Sequence, residues 1–187
     1  RKLLQGTASL EFWTTYNGAD LLQSLLRADA VVKSLKGEET VAEQAADAAL
    51  ATEVAAEEGA SRFSREQNPL LSLLSPDYAG GAVLGAAVAA DVATINKYLA
   101  LPEVRDCFPA DVDFKWGIKG EPMFDNRVCL YALRSVDGKP AMDGGAVSTA
   151  QENYSQNGSA AEVNLTMNSN GASQWAQLTG QNIGKPI

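Results

Sequence analysis

The fold is decided by DVDFKWGIKGEPMFDNRVCLYALRS, which spans residues 111–135. Residues 111–120 and 127–135 read as strands because they are rich in Val, Ile, Leu and aromatic side chains. EPMFDN lies between them and VDGKP follows them, and both have the composition of turns. The pattern predicts a β-hairpin, so a sheet forms part of the fold.

A second strand signal lies near the start of the chain. In TASLEFWTTY, residues 7–16, β-branched and aromatic side chains dominate. Leu10 and Phe12 alternate there with Glu11 and Trp13, which is the period of a strand with one buried face.

A third strand signal lies near the end. In AEVNLTMNS, residues 161–169, the apolar side chains of Val163, Leu165 and Met167 alternate with polar ones. Asn-Gly at positions 157–158 is a strong signal for a two-residue hairpin turn before this strand. We therefore expect a strand buried on one face.

The last part of the chain reads as a helix followed by the beginning of another strand. GASQWAQLTGQN, residues 171–182, predicts a helix with Ser169 as its N-cap and with Trp175 and Leu178 facing the sheet. Residues 185–187 then enter a strand. We expect an unpaired sheet edge at this point.

The block between these strands is mainly helical in pattern. A helix is predicted from residue 20 with Asp20 as N-cap and Gly37 as its end. Its apolar face consists of five residues: Leu21, Leu22, Leu25, Leu26 and Val32. Residues 68–76 predict one or two helical turns. Asp91 and Pro102 begin two further helices, because Asp favours the N-cap and Pro the first helical turn.

Residues 37–67 differ from the rest of this block. They are rich in Ala and Glu and hold few large apolar side chains, so they have helix propensity but little to bury. They predict a solvated surface helix or a flexible segment. A partner-binding amphipathic helix is the alternative, with Val41, Leu50 and Val54 as its thin apolar stripe.

Strands at both ends with helices between them predict an α+β fold in which one part is inserted into the other. The chain has 187 residues and begins with Arg1, and no run of about 20 apolar residues that would span a membrane is present. We therefore expect a soluble segment of a longer protein.

Composition excludes several classes of function. The net charge is −8, so a nucleic-acid or anionic membrane partner is disfavoured. The chain has no His, which removes His-based catalytic triads and zinc sites. The Gly-Lys pair at positions 184–185 follows a helix and precedes Pro186, so it is no phosphate-binding loop. We predict no catalytic residue, no metal and no cofactor.

The two cysteines, Cys107 and Cys129, have no metal-binding spacing. A disulfide in an oxidising compartment and two buried free thiols both remain open.

Several motifs together resemble the first large periplasmic domain of SecD, in its fused SecDF form. The matching stretches are TASLEFW (7–13), RVCLYALRS (127–135) with the G-x-x-V-x-x-A segment at 144–150, and EVNLTMNSNGASQWAQLTGQNIGKPI (162–187). NPLLSLL (68–74) and LPEVRDCFPADVDFKWG (101–117) resemble the inserted portion in fused chains. The Ala/Glu-rich residues 37–67 are not a general family feature, and the family pattern continues into a further strand, AIVLDG, after NIGK.

The resemblance implies a ferredoxin-like base, truncated at its last strand, formed by residues 1–16 and 120–187. Residues 17–119 would form an inserted, mainly helical head subdomain. It also implies an inner-membrane protein with this region on the periplasmic side. Such a protein associates with the SecYEG translocon and promotes late preprotein translocation coupled to the proton gradient.

Unfolded preproteins would be held by apolar side chains in the inserted block, followed by a swing of the head that limits backsliding. The candidate residues are Leu70, Leu71, Leu73, Leu74, Val83 and Leu84. The alternative role for the same residues is the core of the head itself. Two other functions remain: an oligomerising structural module of a cell-envelope complex, and a periplasmic hydrolase, which needs two converging carboxylates.

Overall fold

The computed structural model describes residues 10–43, 64–135, 137–154 and 161–187. The chain divides into two compact units. The central unit comprises residues 16–133, and the terminal unit comprises residues 1–15 and 134–187. Each unit is described by itself below.

The described ranges contain eight strands and four α-helices. The strands are β1 (Glu11–Phe12), β2 (Leu74–Pro76), β3 (Val83–Ala87), β4 (Val112–Glu121), β5 (Arg127–Arg134), β6 (Met142–Asp143), β7 (Val147–Tyr154) and β8 (Ala161–Met167). The helices are α1 (Leu22–Glu43), α2 (Val92–Leu99), α3 (Pro102–Arg105) and α4 (Ser169–Gln181). Helix and sheet are both substantial, so the predicted α+β class is confirmed.

The central unit is built on a four-stranded sheet in the order β2-β3-β5-β4. β2 and β3 are antiparallel, and so are β3 and β5, with a register irregularity between Val83 and Gly85. The hairpin predicted at residues 111–135 is confirmed, since β4 and β5 are neighbours in this sheet. β2 lies within residues 68–76, where the sequence predicted helical turns. The mainly helical inserted head stays a prediction.

Helix α1 begins and ends differently from the prediction. Asn17, not Asp20, caps the preceding turn, and its side-chain oxygen accepts a 3.0 Å hydrogen bond from the backbone N–H of Ala19. The helix continues through Gly37 to Glu43. Gly37 lies outside the left-handed region that a helix-ending glycine adopts, so nothing in its backbone stops the helix there.

One face of α1 enters the core of the central unit. Leu25 and Val32 are buried, whereas Leu26, which was predicted on the same face, is 40% exposed. The core is completed by side chains from the sheet and the shorter helices: Leu70, Leu71, Leu74, Leu84, Ile95, Leu99, Val104, Val112 and Leu130. Each such side chain stabilises the fold by about 1.5–3 kcal/mol relative to an exposed position.

A buried carboxylate ties α1 to the segment that precedes β2. Asp29 is 3% exposed, and its Oδ1 accepts hydrogen bonds from the backbone N–H groups of Leu70 (2.8 Å) and Leu71 (3.0 Å). Its Oδ2 accepts a 2.9 Å bond from Asn68 Nδ2. Residues 69–73 form turns, and β2 follows, where the sequence predicted helical turns.

The terminal unit holds two separate two-stranded sheets and α4. β1 pairs with β6 (Phe12↔Met142), and β7 pairs with β8 from Val147↔Met167 to Tyr154↔Ala161, with a register irregularity between Val147 and Thr149. The predicted turn at 157–158 lies outside the described residues. Of the described part of the predicted strand at residues 7–16, β1 and a single bridge residue, Thr15, are paired.

Helix α4 is fixed by Asn168 and Gly171. The Asn168 side chain caps the helix by accepting a 2.8 Å bond from the N–H of Gly171, so the predicted cap at Ser169 is one residue too late. The ring of Trp175 meets the ring of Phe12 edge to face, with centroids 5.3 Å apart. Trp175 thus packs on β1, as an aromatic residue on the inner face of a helix should.

The predicted ferredoxin-like base is not seen as a single sheet, because β1-β6 and β7-β8 are separate in the described ranges. Residues 185–187 form no strand. Instead the carbonyl oxygen of Pro186 accepts bonds from the backbone N–H and the hydroxyl of Thr15, both at 3.3 Å. At the position where the sequence predicted an open strand, Pro186 thus contacts Thr15, which lies 171 positions earlier in the chain.

The chain passes between the units after residue 15 and after residue 133. In the central unit the backbone N–H of Tyr16 donates a 2.8 Å bond to the carbonyl of Ala132. In the terminal unit the N–H of Arg134 donates a 2.8 Å bond to the carbonyl of Thr14. The predicted boundary before residue 120 falls inside β4, which is held in the central unit by β5.

Candidate functional site

The structure buries most of the residues that the sequence suggested for preprotein binding. Leu70, Leu71 and Leu74 have no exposed surface, and Leu84 is 1% exposed. Leu73 and Val83 are half-buried. A side chain that is fully packed inside the core cannot also contact a bound chain without unfolding of the central unit, so the site is better sought elsewhere.

An exposed apolar face lies on the ribbon formed by β7 and β8. Ala150 is opposite Leu165, and Glu152 is opposite Val163, so these side chains share one face. Val163 is 66% exposed and Leu165 is 40% exposed. The alternation predicted for β8 is thus confirmed, but the predicted burial of its apolar face is wrong, because within the described ranges β7 and β8 pair only with each other.

A groove of about 620 Å³ lies beside this face and shares Ala150 and Leu165 with it. Its lining comes from β7, β8, β6, the turn between β6 and β7, and the residue before β1: Leu10, Asp143, Gly144, Gly145, Val147, Ser148, Thr149, Ala150 and Leu165. Alternate side chains of a strand point to opposite faces. Thr149 and Ala150 are adjacent and point to opposite faces, yet both line the groove, so the groove runs along the edge of β7, beside the register irregularity between Val147 and Thr149.

The floor of the groove is held in place by a small hydrogen-bond network. Asp143 caps the turn Gly144–Ala146 by accepting a 2.8 Å bond from the N–H of Gly145. Asn168 donates a 2.8 Å bond from Nδ2 to the carbonyl of Gly145, and a 3.0 Å bond from its backbone N–H to the carbonyl of Ala146. Asp143 before the turn and Asn168 after it thus hold the turn in place, and its two glycines place no side chain in the groove.

The groove lies in an acidic stretch of the chain. Residues 140–184 contain Asp143, Glu152 and Glu162 but no Lys, Arg or His. Asp143 lines the groove, and Glu152 lies on the same face as Val163 and Leu165. An apolar surface with negative charge beside it follows from this placement.

A smaller cavity of about 210 Å³ lies in the central unit. Lys36, Arg65 and Asp91 line it together with Tyr98, whose ring centroid is 5.1 Å from Lys36 Nζ. Charges of both signs meet here, so the cavity has no clear preference for one kind of ligand.

The two cysteines are free thiols, which settles the alternatives left open by the sequence. Cys129 is buried, and Cys107 is half-buried. Burial raises the pKa of the Cys129 thiol, and the negative charges of Glu121 and Asp77 act in the same direction. Burial likewise raises the pKa of the Tyr131 hydroxyl, with Cys129 and Glu121 as further causes. A reactive thiolate needs the opposite shift.

Two other properties bear on function. Among the residues that the structure describes, no three His, Cys, Asp or Glu side chains are grouped so that they could hold a metal ion. No helix in the same ranges combines the length and the apolar character that crossing a membrane requires.

Sequence reasoning missed the groove because its lining comes from distant parts of the chain. Leu10 and Gly144 are neighbours only after β1 pairs with β6. The run of 45 residues without a basic side chain, from 140 to 184, was the available signal.

Comparison with known proteins gives two matches. Residues 126–187 match the family described as SecDF, P1 head subdomain. The whole chain is similar to the protein translocase subunit SecD of Rhodothermus marinus, with 32% identity over 192 residues. The chain spans 30% of the length of that relative. No solved structure matches. The name head subdomain falls on residues that the sequence assigned to the base, so the assignment of base and head stays a prediction.

Proposed function

This chain belongs to the SecD/SecDF family, and we propose that it acts in protein translocation as a periplasmic region that holds the exported polypeptide while it is still unfolded. The proposed partners are the SecYEG translocon and unfolded preproteins. Coupling to the proton gradient would be supplied by the membrane-spanning part of the full-length protein, and no residue of this chain is assigned to it.

The observation that carries the proposal is the groove along β7 with the exposed face of Val163 and Leu165 above it. A surface that serves many unrelated unfolded chains needs exposed apolar side chains and accessible backbone, since these are the features that all such chains share. The groove offers both, and it lies within the residues that match the family. We therefore place preprotein binding there and not at the buried leucines of the central unit.

A chimera tests this function. The chain replaces the aligned part of the Rhodothermus marinus subunit, and a photo-crosslinking residue is introduced at Leu165. Ser173, an exposed position on α4, serves as the control site. We expect the chimera to support export of a secreted reporter and to crosslink to an arrested preprotein from position 165 but not from 173. A chimera that is present in the membrane at the normal level, yet supports no export and gives no crosslink at any position, would contradict the function.

A structural, oligomerising role is favoured by a different observation. On β4 Ile118 is 97% exposed, and in the turn that follows this strand Met123 is 88% exposed. Apolar side chains that protrude in this way are typical of association surfaces. Sedimentation decides between the roles: a stable oligomer that becomes monomeric in Ile118→Ser/Met123→Ser supports the oligomerising role, and a monomer at all concentrations opposes it.

A further inference from the structure

In the described ranges no strand pairs with the outer edge of β7 along the groove. Within the described ranges the ribbon has the order β7-β8 and no third strand. The backbone N–H and C=O groups on the outer side of an edge strand bond either to water or to another extended chain. The groove follows this edge at residues 147–150, so a chain lying in the groove would lie beside these groups.

The lining of the groove also suits an added strand. Leu10, 39% exposed, contributes an apolar side chain to the lining, and Gly144 and Gly145 contribute no side chains. Leu165 and Val163 supply an apolar surface for the alternate side chains of the incoming strand.

The charge around the groove selects among extended chains. Asp143 lines the groove, Glu152 lies on the same face as Val163 and Leu165, and residues 140–184 contain no basic side chain. Opposite charge at the rim of a binding surface raises the association rate and discriminates against partners of like charge. An incoming strand that carries Lys or Arg is therefore favoured over one that carries Asp or Glu.

We propose that the groove binds an extended polypeptide segment that adds as a third strand to the outer edge of β7 and combines apolar side chains with Lys or Arg. The inference rests on the proposed function, and it names the class of segment within an exported chain that this site takes. Segments rich in Asp or Glu are disfavoured by the carboxylates of Asp143 and Glu152.

Peptide binding to the 187-residue chain tests the proposal. The probe is a fluorescein-labelled peptide of about ten residues, with alternating Val and Ser and with Lys at two positions, since a strand of this length covers the edge. One control peptide has Glu in place of Lys, and another is N-methylated at every second backbone nitrogen. We expect the Lys peptide to bind at least about 10-fold more tightly than the Glu peptide at low ionic strength, where exposed charges are little screened.

Matched variants separate the contributions. Glu152→Lys should weaken binding of the Lys peptide about 5-fold, whereas Glu103→Lys in the central unit, with the same change of net charge, should leave it within about 2-fold. Leu165→Ser should weaken both peptides. All these positions are exposed, so the variants are expected to fold.

Three results would overturn the proposal. If the N-methylated peptide binds as tightly as the unmethylated Lys peptide, strand addition is excluded. If the two charge-reversed variants weaken binding equally, recognition by the carboxylates at the groove is excluded. If no peptide binds, the site itself is excluded. If export by the chimera and crosslinks at other positions persist in these cases, the function stands and only this site is wrong.

Discussion

The carboxylate of Asp29 accepts a 2.8 Å hydrogen bond from the backbone N–H of Leu70, 41 positions further along the chain. The same oxygen accepts from Leu71, and the other oxygen accepts from Asn68. Leu70 and Leu71 have no exposed surface, so their N–H groups have no access to water. The side chain of Asp29 thus joins α1 to residues 68–71 of the central unit.

Asp29→Ala should reduce the free energy of unfolding by about 1–3 kcal/mol. The variant removes the acceptor of the buried Leu70 N–H group, and an unsatisfied buried donor costs about that much. Urea unfolding followed by circular dichroism measures the loss. Gln23→Ala, at an exposed position of the same helix, should change it by less than about 0.5 kcal/mol. An Asp29→Ala protein as stable as the Gln23→Ala protein would refute the bonding role of Asp29.

Asn168→Ala should destabilise the terminal unit by about 1–2 kcal/mol, because it removes the cap of α4 and the bond to the Gly145 carbonyl. Ser169→Ala should have an effect below about 0.5 kcal/mol, since Ser169 is exposed and does not cap the helix. Thermal unfolding of both variants compares the two positions directly. A larger effect at Ser169 would restore the cap predicted from sequence.

Gly171→Ala and Gly180→Ala should act in opposite directions although both glycines lie in α4. A Cβ at Gly171 would lie 2.4 Å from the carbonyl oxygen of Ala146, so α4 would have to move, at a cost of about 2 kcal/mol. A Cβ at Gly180 meets nothing within 4 Å, so Ala should stabilise the helix by about 0.5–1 kcal/mol. The midpoint of thermal unfolding should fall in the first variant and rise in the second.

The two thiols should react with a maleimide at very different rates in the native protein. Cys107 is half-buried, whereas Cys129 has no exposed surface and a raised pKa. Since the thiolate is the reactive species, Cys129 should be labelled only after unfolding. Mass spectrometry of the labelled protein in buffer and in urea identifies the sites. Labelling of Cys129 at the same rate as Cys107 in buffer would contradict its burial.

Stability should fall in alkali partly because of Cys129. Its pKa is raised in the folded state, so the folded protein holds the thiol proton more tightly than the unfolded chain. The contribution of the Cys129 thiol to the free energy of unfolding is fully present below the pKa of a thiol in the unfolded chain, about 8.5. It is lost as the pH rises from that value through the higher pKa of the folded state. Urea unfolding of the wild type and of Cys129→Ala from pH 7 to pH 10 measures the effect. The difference in stability between the two proteins should narrow as the pH rises; a constant difference would contradict it.

The sequence predicted those elements whose signals are local. The hairpin of β4 and β5, the helix after Asp91 and the alternation in β8 each depend on periodicity within about ten residues, and each is present. The pairing of β2 and β3 was missed because residues 68–76 are apolar throughout, and such a run does not distinguish a buried strand from a helical turn.

The site depended on information that local pattern does not hold. Leu70 and Leu165 are both apolar residues in regular-looking segments, yet one has no exposed surface and the other is 40% exposed. The difference arises from what packs on each of them: α1 and the sheet surround Leu70, whereas the ribbon that carries Leu165 has no third strand in the described ranges. The exposure of a side chain depends on its neighbours in the folded structure. Apolar character alone therefore could not show that most of the six residues predicted to bind preprotein are buried.

The bond between Tyr16 and Ala132 brings the two ends of the central unit side by side. The bond between Thr14 and Arg134 does the same for the two segments of the terminal unit. In each unit, the segments by which the chain enters and leaves are therefore hydrogen-bonded to each other. The gene could be cut after codons 15 and 133. The central unit could then be exchanged, circularly permuted or replaced by a short linker, while the groove along β7 keeps its geometry.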